Sequence, residues 1–239
     1  MKSHRSFTVC CVQKMLVAPF VYELRCEKPS DFKFTPGQFV LFDVPLSEDP
    51  TDVQARAYSI ASAPSETDLR FVIKLVPSGR ASRWIENTLT VGMTFCMQGP
   101  FGAFTLDEST DKPYVFVGTG TGIAPLRSQI VWLLQEQGDA RHMYLIFGTR
   151  QRGDMFWEEM WRQMQEQHPN FHVYLSFLEG RDDRHREPVS VQECLTGILR
   201  TVRLPSVYVC GAPITVRELK QQCLLLGIPK SDIHAESYV

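Results

Sequence analysis

The glycine- and threonine-rich segment 118–122, which directly follows the apolar run 114–117, constrains the fold of this chain more than any other feature. Four consecutive apolar residues are typical of a strand that is buried on both faces of a parallel sheet. After the glycines, Leu126, Ile130 and Leu134 recur at helical spacing. Glycine lets a backbone approach a phosphate closely, and a helix start offers free N–H groups to an anion. The segment therefore predicts a phosphate-binding loop, with a structural turn as the alternative, although its spacing matches neither GxGxxG nor a P-loop.

The pattern of the chain changes near residues 107–113, a polar stretch that ends in proline. Beyond it, strands alternate with helices, which predicts an α/β doubly wound parallel sheet whose ligands lie at the carboxyl ends of its strands. Before it, short β-rich runs separated by turn residues predict an antiparallel β-barrel or sandwich, with one short helix at residues 82–87. These runs are residues 7–12, 21–26, 39–44, 57–61, 69–76 and 93–97. We therefore predict two domains, 1–108 and 109–239.

Charge and composition exclude several classes of function. A net charge of −2 gives no reason to expect a nucleic-acid partner, because binding to phosphate backbones needs clustered positive charge. No apolar run approaches the length of about 20 residues that a membrane-spanning helix needs. The seven cysteines are scattered, without a CxxC pair or a spacing suited to zinc or an iron–sulfur cluster. This usage predicts a metal-free chain in the reducing cytoplasm.

Other segments carry chemical groups but are weak signals on their own. A predicted strand places Arg56 and Tyr58 on one face and Ser59 on the other. Residues 79–82 form a turn that leads into the predicted short helix and offer a second phosphate site. The aromatic and methionine residues of the run 156–161 are predicted to be helix core rather than a cofactor site.

Taken in order, these segments resemble the motifs of the ferredoxin–NADP reductase superfamily, and the resemblance runs along essentially the whole chain. The matching segments are Pro-Gly-Gln at residues 36–38, RxYS at 56–59, GxxS at 79–82, GPFG at 99–102, the glycine-rich loop at 118–125, Cys-Gly at 210–211 and ExY at 236–238. One shared tetrapeptide would be chance, whereas seven such motifs in the same order indicate membership.

The resemblance implies that the barrel binds FAD, with FMN less favoured, and that the second domain binds NADPH or NADH. It implies that hydride passes from nicotinamide C4 to flavin N5, and that electrons then pass singly to a carrier such as ferredoxin or flavodoxin. The residues it assigns to catalysis are Ser59, Cys210, Glu236 and Tyr238. The residues it assigns to cofactor binding are Arg56, Ala57, Tyr58, Ser59, Ile73, Lys74, Gly79, Ala81, Ser82, Gly118, Thr119, Gly120, Thr121, Gly122, Pro125, Arg150 and Gly211.

The electron acceptor and the coenzyme stay open. Alternative functions are an NAD(P)H:flavin or ferric reductase, the reductase component of an oxygenase, and a non-catalytic electron-transfer subunit. Arg150 favours NADPH slightly, because an arginine at this strand end accommodates a 2′-phosphate. The next strand end, however, carries Ser176 and Phe177 where NADP-dependent relatives often have an arginine. Three arginines beyond it are either substitutes or part of a solvated loop: Arg181, Arg184 and Arg186.

Overall fold

The structure is a computed structural model that describes residues 5–45, 52–179 and 189–238. An antiparallel six-stranded sheet with the strand order β4-β3-β6-β1-β2-β5 forms the first half, and a parallel five-stranded sheet with the order β11-β10-β7-β8-β9 forms the second. The strands are β1 Ser6–Ala18, β2 Val21–Glu27, β3 Phe39–Pro45, β4 Val53–Ser59, β5 Asp68–Lys74, β6 Thr94–Phe101, β7 Tyr114–Thr119, β8 Met143–Gln151, β9 Phe171–Glu179, β10 Ser206–Gly211 and β11 Ile233–Ser237. The helices are α1 Arg80–Arg83, α2 Ile123–Val131, α3 Glu158–Gln167, α4 Val191–Thr201 and α5 Pro213–Leu225. The predicted fold class is confirmed.

The first sheet closes into a barrel around an aromatic core. Alternate residues of β3 point inward, and the ring of Phe42 lies 4.9 Å from that of Phe71 and 4.7 Å from that of Phe95. The edge strands β4 and β5 contact each other, and just beyond β4 the N–H of Ala61 donates to the carbonyl of Arg70 at 2.7 Å. Along a strand such as β3, side chains alternate between the core and the outer face, as the alternating sequence pattern predicts.

The second sheet is covered by helices on both faces because its central strand is apolar throughout. Tyr114 and Phe116 of β7 pack with α2 and α3, whereas Val115 and Val117 pack with α4 and α5. All four side chains are fully buried. None of the helices in the described ranges has the length and hydropathy needed to cross a bilayer.

The short helix of the barrel differs from its prediction. It begins at Arg80 with Gly79 as its N-cap, and it continues as a π-helical turn over Trp84–Thr88. Ser82 does not cap it: the Ser82 hydroxyl accepts a hydrogen bond from the N–H of Val76 at 2.8 Å. The helix starts earlier because the serine closes the preceding turn instead.

Candidate functional site

Tyr238 joins the two domains at one end of the parallel sheet. Its hydroxyl lies 3.1 Å from Oγ of Ser59, at the end of β4, and 3.4 Å from the carbonyl oxygen of Thr121. Its backbone N–H donates to the carbonyl of Gly211 at 3.1 Å, which holds the residue beside the end of β10. Residues that lie 179 positions apart in the chain thus meet at the seam between barrel and sheet.

Cys210 lies beside this tyrosine in a buried position. On β10 it is in register with Gly118 of β7 on one side and with Glu236 of β11 on the other. Burial, together with the nearby carboxyl of Glu236, raises the pKa of the Cys210 thiol to about 12, against a hydrogen bond with Tyr238. At neutral pH the thiol is therefore protonated. It can pack and hydrogen-bond at the site, but it is not a thiolate nucleophile.

Glu236 contributes a carboxyl group that is only half exposed. Burial raises its pKa above the ordinary value for glutamate. Burial also raises the pKa of Tyr238, and the adjacent Cys210 raises it further. Burial thus shifts the pKa of all three groups towards their neutral forms, as is common at functional sites.

The glycine-rich loop packs tightly against the same strand end because it lacks side chains. A Cβ at Gly122 would lie 2.3 Å from the carbonyl oxygen of Cys210, and one at Gly118 would lie 3.0 Å from Cα of Ile123. A Cβ at Gly120, where φ is +54°, would meet nothing within 4 Å. Residues Gly120–Gly122 form a single 3₁₀ turn ahead of α2, and Pro125 lies in the first turn of that helix. The loop backbone is thus accessible at Gly120 and closely packed on both sides of it.

A cleft of about 650 Å³ runs from Tyr238 past this loop to Arg150. One wall comes from the barrel and the other from the carboxyl ends of the parallel strands, as doubly wound sheets require of their ligand sites. The barrel contributes Pro19, Val21, Lys74 and Val76, and the sheet domain contributes Thr119, Gly120, Thr121, Gly148, Thr149, Arg150 and Gly211 among others. An elongated ligand with phosphates at the loop and a ring at Tyr238 fits this shape. The residues therefore fit a dinucleotide.

Arg150, at the far end of the cleft, is paired with a carboxylate. Its Nε lies 3.0 Å from Oε1 of Glu179, and Nε2 of Gln151 lies 3.1 Å from Oε2 of the same residue. Hydrogen bonds from Gln151 and Arg150 lower the pKa of Glu179 below its ordinary value. The cation expected to receive a 2′-phosphate is thus partly neutralised. The other predicted candidates, Arg181, Arg184 and Arg186, lie outside the described residues.

The residues assigned to the flavin lie on the barrel side of the seam. Arg56 and Tyr58 share the inner face of β4, as predicted, and both are partly exposed. Tyr58 packs against Phe42 with ring centroids 4.8 Å apart, and burial raises its pKa to about 12. The Arg56 guanidinium donates a hydrogen bond to the backbone carbonyl of the adjacent Ala55 at 3.0 Å. A partly exposed cation and an aromatic face on one strand, next to Ser59, fit a phosphorylated ring cofactor.

The remaining assigned residues of the barrel divide into buried and exposed ones. Ile73 and Ala81 are buried, whereas Ala57 is exposed on the outer face of β4. Lys74 is exposed and lines the cleft. Gly79 ends the turn before α1, where the first N–H groups of a helix have no partner inside it.

Sequence reasoning missed a set of polar contacts that fastens the domains together. Arg127 of α2 is only 5% exposed, and its guanidinium binds the carboxylate of Glu66 at 2.7 and 3.0 Å and the carbonyl of Ala61 at 2.7 Å. The hydroxyl of Ser128 donates to the carbonyl of Ser62 at 2.6 Å. No sequence motif marks these residues. An arginine on a helix ordinarily faces solvent, so the sequence gives no reason to expect Arg127 in a buried contact.

The aromatic run 156–161 also includes a contact between the domains. Trp161 is fully buried, which confirms the prediction of helix core for that residue. Trp157 instead donates its indole N–H to Oε2 of Glu23 in the barrel at 2.6 Å, and Phe156 lines the cleft. Both precede α3, so the prediction that they belong to a helix is wrong, although Phe156 is buried in the core.

Comparison with known proteins identifies both domains. The oxidoreductase FAD-binding domain matches residues 16–106, and the oxidoreductase NAD-binding domain matches residues 116–221. Ferredoxin–NADP reductase B of Sorangium cellulosum is 32% identical over 93% of this chain and 93% of its own length. The reductase component of the naphthalene 1,2-dioxygenase/salicylate 5-hydroxylase systems of Ralstonia is 30% identical over 91% of this chain, which spans only 64% of that relative.

Solved structures agree on the architecture. The cytochrome P450 reductase GcoB of Amycolatopsis superposes with a TM-score of 0.88 over 98% of this chain and 70% of that one, at 24% identity. At that identity the likeness establishes the fold. Both domain matches and the full-length Sorangium relative together show that this chain belongs to the ferredoxin–NADP reductase superfamily.

Proposed function

We propose that this chain is a flavin-dependent NAD(P)H oxidoreductase, in which FAD binds residues 1–108 and the nicotinamide coenzyme binds residues 109–239. The observation that carries the proposal is the contact between Tyr238 and Ser59. It brings the end of the RxYS strand, the buried Cys210 and the end of the glycine-lined cleft to one point. Two rings that bind to the two domains would meet there.

Bound FAD would accept the two electrons of a hydride and release them one at a time. This chemistry belongs to the cofactor and not to the protein side chains. On the barrel, Arg56 and the turn at residues 79–82 would hold the phosphates, and Tyr58 would pack against the ring. The resemblance also assigns Ala57, Ile73, Lys74 and Ala81 to this cofactor; of these, Ile73 and Ala81 are buried, and Ala57 lies on the outer face of β4. The partly exposed guanidinium and the free N–H groups at the start of α1 support these roles.

The nicotinamide coenzyme would lie along the cleft. The loop of residues 118–122, whose backbone is accessible at Gly120, would receive its pyrophosphate, with Pro125 in the following helical turn. Gly211 lines the cleft at the end of β10, next to Thr119, and would border the nicotinamide. The protein contributes distance and orientation, which for two reactants in a fixed geometry is a large part of rate acceleration.

Four residues would act at the point of transfer. Ser59 and Tyr238 hold each other by a hydrogen bond across the seam, so each orients the other. Cys210 remains a neutral thiol that shapes the floor of the site. Glu236 would place a half-buried carboxyl group beside that floor, and burial raises the pKa of this carboxyl above its ordinary value.

The proposed acceptor is a one-electron carrier such as ferredoxin or flavodoxin. The name of the Sorangium relative, which matches over 93% of its own length, supports it. A second candidate, reductase of an oxygenase system with a separate iron–sulfur carrier, is favoured by the name of the Ralstonia relative. The seven free cysteines support a cytoplasmic location for either activity.

An anaerobic titration tests the proposal. Purified protein should contain FAD, and NADH or NADPH should bleach its visible absorbance at one equivalent per flavin. Reoxidation by ferredoxin, by flavodoxin, by free flavin and by ferric complexes, each mixed separately with the reduced protein, distinguishes the acceptors. A chain that binds no flavin, or a flavin that neither coenzyme reduces, would overturn the proposed activity.

A further inference from the structure

Two cysteines face each other inside the barrel, remote from the four residues of the proposed transfer site in the sequence. Cys11 of β1 and Cys26 of β2 are direct partners across the antiparallel pair, and neither side chain is exposed to solvent. Both are free thiols, and they hydrogen-bond to each other. No step of the proposed reaction uses them.

The backbone pairing around Cys11 sets the distance between these residues. The N–H of Cys11 donates to the carbonyl of Met93 at 2.9 Å, and its carbonyl accepts from the N–H of Gly92 at 2.8 Å. Both groups therefore point away from β2, which makes Cys11 and Cys26 a non-hydrogen-bonded pair. Such pairs have Cα atoms about 4.5 Å apart, the closest approach in an antiparallel sheet. Disulfides span Cα separations of about 4.4–6.8 Å.

We propose that Cys11 and Cys26 form a cross-strand disulfide when the protein meets a hydroperoxide. The sulfur of Cys11, as thiolate, attacks the O–O bond and becomes a sulfenic acid, while hydroxide leaves. The thiol of Cys26 then displaces water from that sulfenic acid, and the S–S bond forms. The two sulfurs together lose two electrons, and hydrogen peroxide is reduced to two molecules of water.

The order of the two sulfurs follows from their surroundings. The hydrogen bond between the thiols lowers the pKa of Cys11 and raises that of Cys26, and the ammonium group of Lys14 lowers the pKa of Cys11 further. Cys11 therefore loses its proton more readily than Cys26, and the thiolate is the reactive form. Cys10 cannot replace it, because successive side chains of a strand point to opposite faces, and Cys10 is on the outer one.

Peptide mapping tests the proposal on the intact flavin-loaded protein. Reduced protein is treated with hydrogen peroxide, the remaining thiols are alkylated after unfolding, and tryptic peptides are analysed by mass spectrometry. Trypsin places Cys10 and Cys11 in residues 6–14 and Cys26 in residues 26–33. The expected product links these two peptides, and dithiothreitol separates them again. The Cys10→Ser variant should still form it, and the Cys11→Ser variant should not.

The exposed Cys96 provides an internal standard for the dose of oxidant. Alkylatable Cys11 and Cys26 in protein whose Cys96 is completely oxidised would overturn the proposal, because the pair would then be only a buried contact. A cross-link that survives in Cys11→Ser would overturn it as well, since Cys10 would be the partner. Both results can be read whether or not the protein reduces flavin, so they are independent of the proposed activity.

Discussion

The ion pair between Arg127 and Glu66 predicts a large loss of stability when one partner is removed. The arginine side chain is 6% exposed and the glutamate side chain 23% exposed. Truncation of Arg127 to alanine leaves the carboxylate and the carbonyl of Ala61 without their strongest donor. Removing one member of a buried pair costs about 3–5 kcal/mol, out of a typical total of about 5–15 kcal/mol. Glu66→Gln keeps an acceptor and should cost about 1.5–3 kcal/mol, the range for a hydrogen bond to a charged group.

Urea unfolding followed by circular dichroism measures these losses. The matched control is Arg162→Ala, which breaks the ion pairs of an exposed arginine with Glu158 and Glu159 and should cost less than about 1 kcal/mol. An Arg127→Ala variant that unfolds like this control would refute the reasoning, because the interdomain pair would then behave as a surface contact.

The pH dependence of the same pair has a definite sign. Burial alone would raise the pKa of Glu66, but hydrogen bonds and charge from Arg127 outweigh it and lower the pKa below its ordinary value. The stabilisation is therefore fully present above the unfolded pKa of about 4.3 and is lost as the pH falls through the folded value. The difference in unfolding free energy between the native protein and Glu66→Gln should shrink in that acid range. A constant difference across it would contradict this assignment.

Three further variants test the proposed site. Tyr238→Phe removes the hydroxyl that bridges the domains and should slow flavin reduction in stopped-flow experiments, with a loss of unfolding free energy of only about 0.5–1.5 kcal/mol. Gly122→Ala forces a Cβ to within 2.3 Å of the oxygen of Cys210, so coenzyme affinity measured by titration should fall while flavin content is unchanged; Gly153→Ala, which has open space, is the control. Glu179→Gln frees its arginine partner and should raise kcat/KM for NADPH relative to NADH, whereas an unchanged ratio would contradict a role of this pair in coenzyme choice.

The fold was predictable because burial repeats with the period of each element. Four apolar residues at 114–117 can only be buried on both faces, and the structure places alternate members against opposite helix layers. The order of strand, glycine-rich turn and helix over residues 114–131 was equally readable from the sequence. Both predictions use only the spacing of residues that are close together in the chain.

Contacts between the domains were not predictable in this way. Arg127 meets Glu66 across 61 positions, and Trp157 meets Glu23 across 134. Their partners are set by how one domain packs on the other, and no periodicity within either domain carries that information. Tyr238 was identified only because it lies in a motif that resembles the family's. Its hydrogen bond to Ser59 depends on how the two domains pack together.

We propose that a nicotinamide ring and a flavin meet where Ser59, Cys210 and Tyr238 converge. Anaerobic single-turnover stopped flow, with coenzyme carrying deuterium at the transferred C4 position, tests it most directly. We expect a single-exponential loss of flavin absorbance that deuterium slows, because hydride moves directly between the two rings. Flavin reduction that is indifferent to deuterium, with coenzyme binding still rapid and saturable, would contradict direct transfer at this seam.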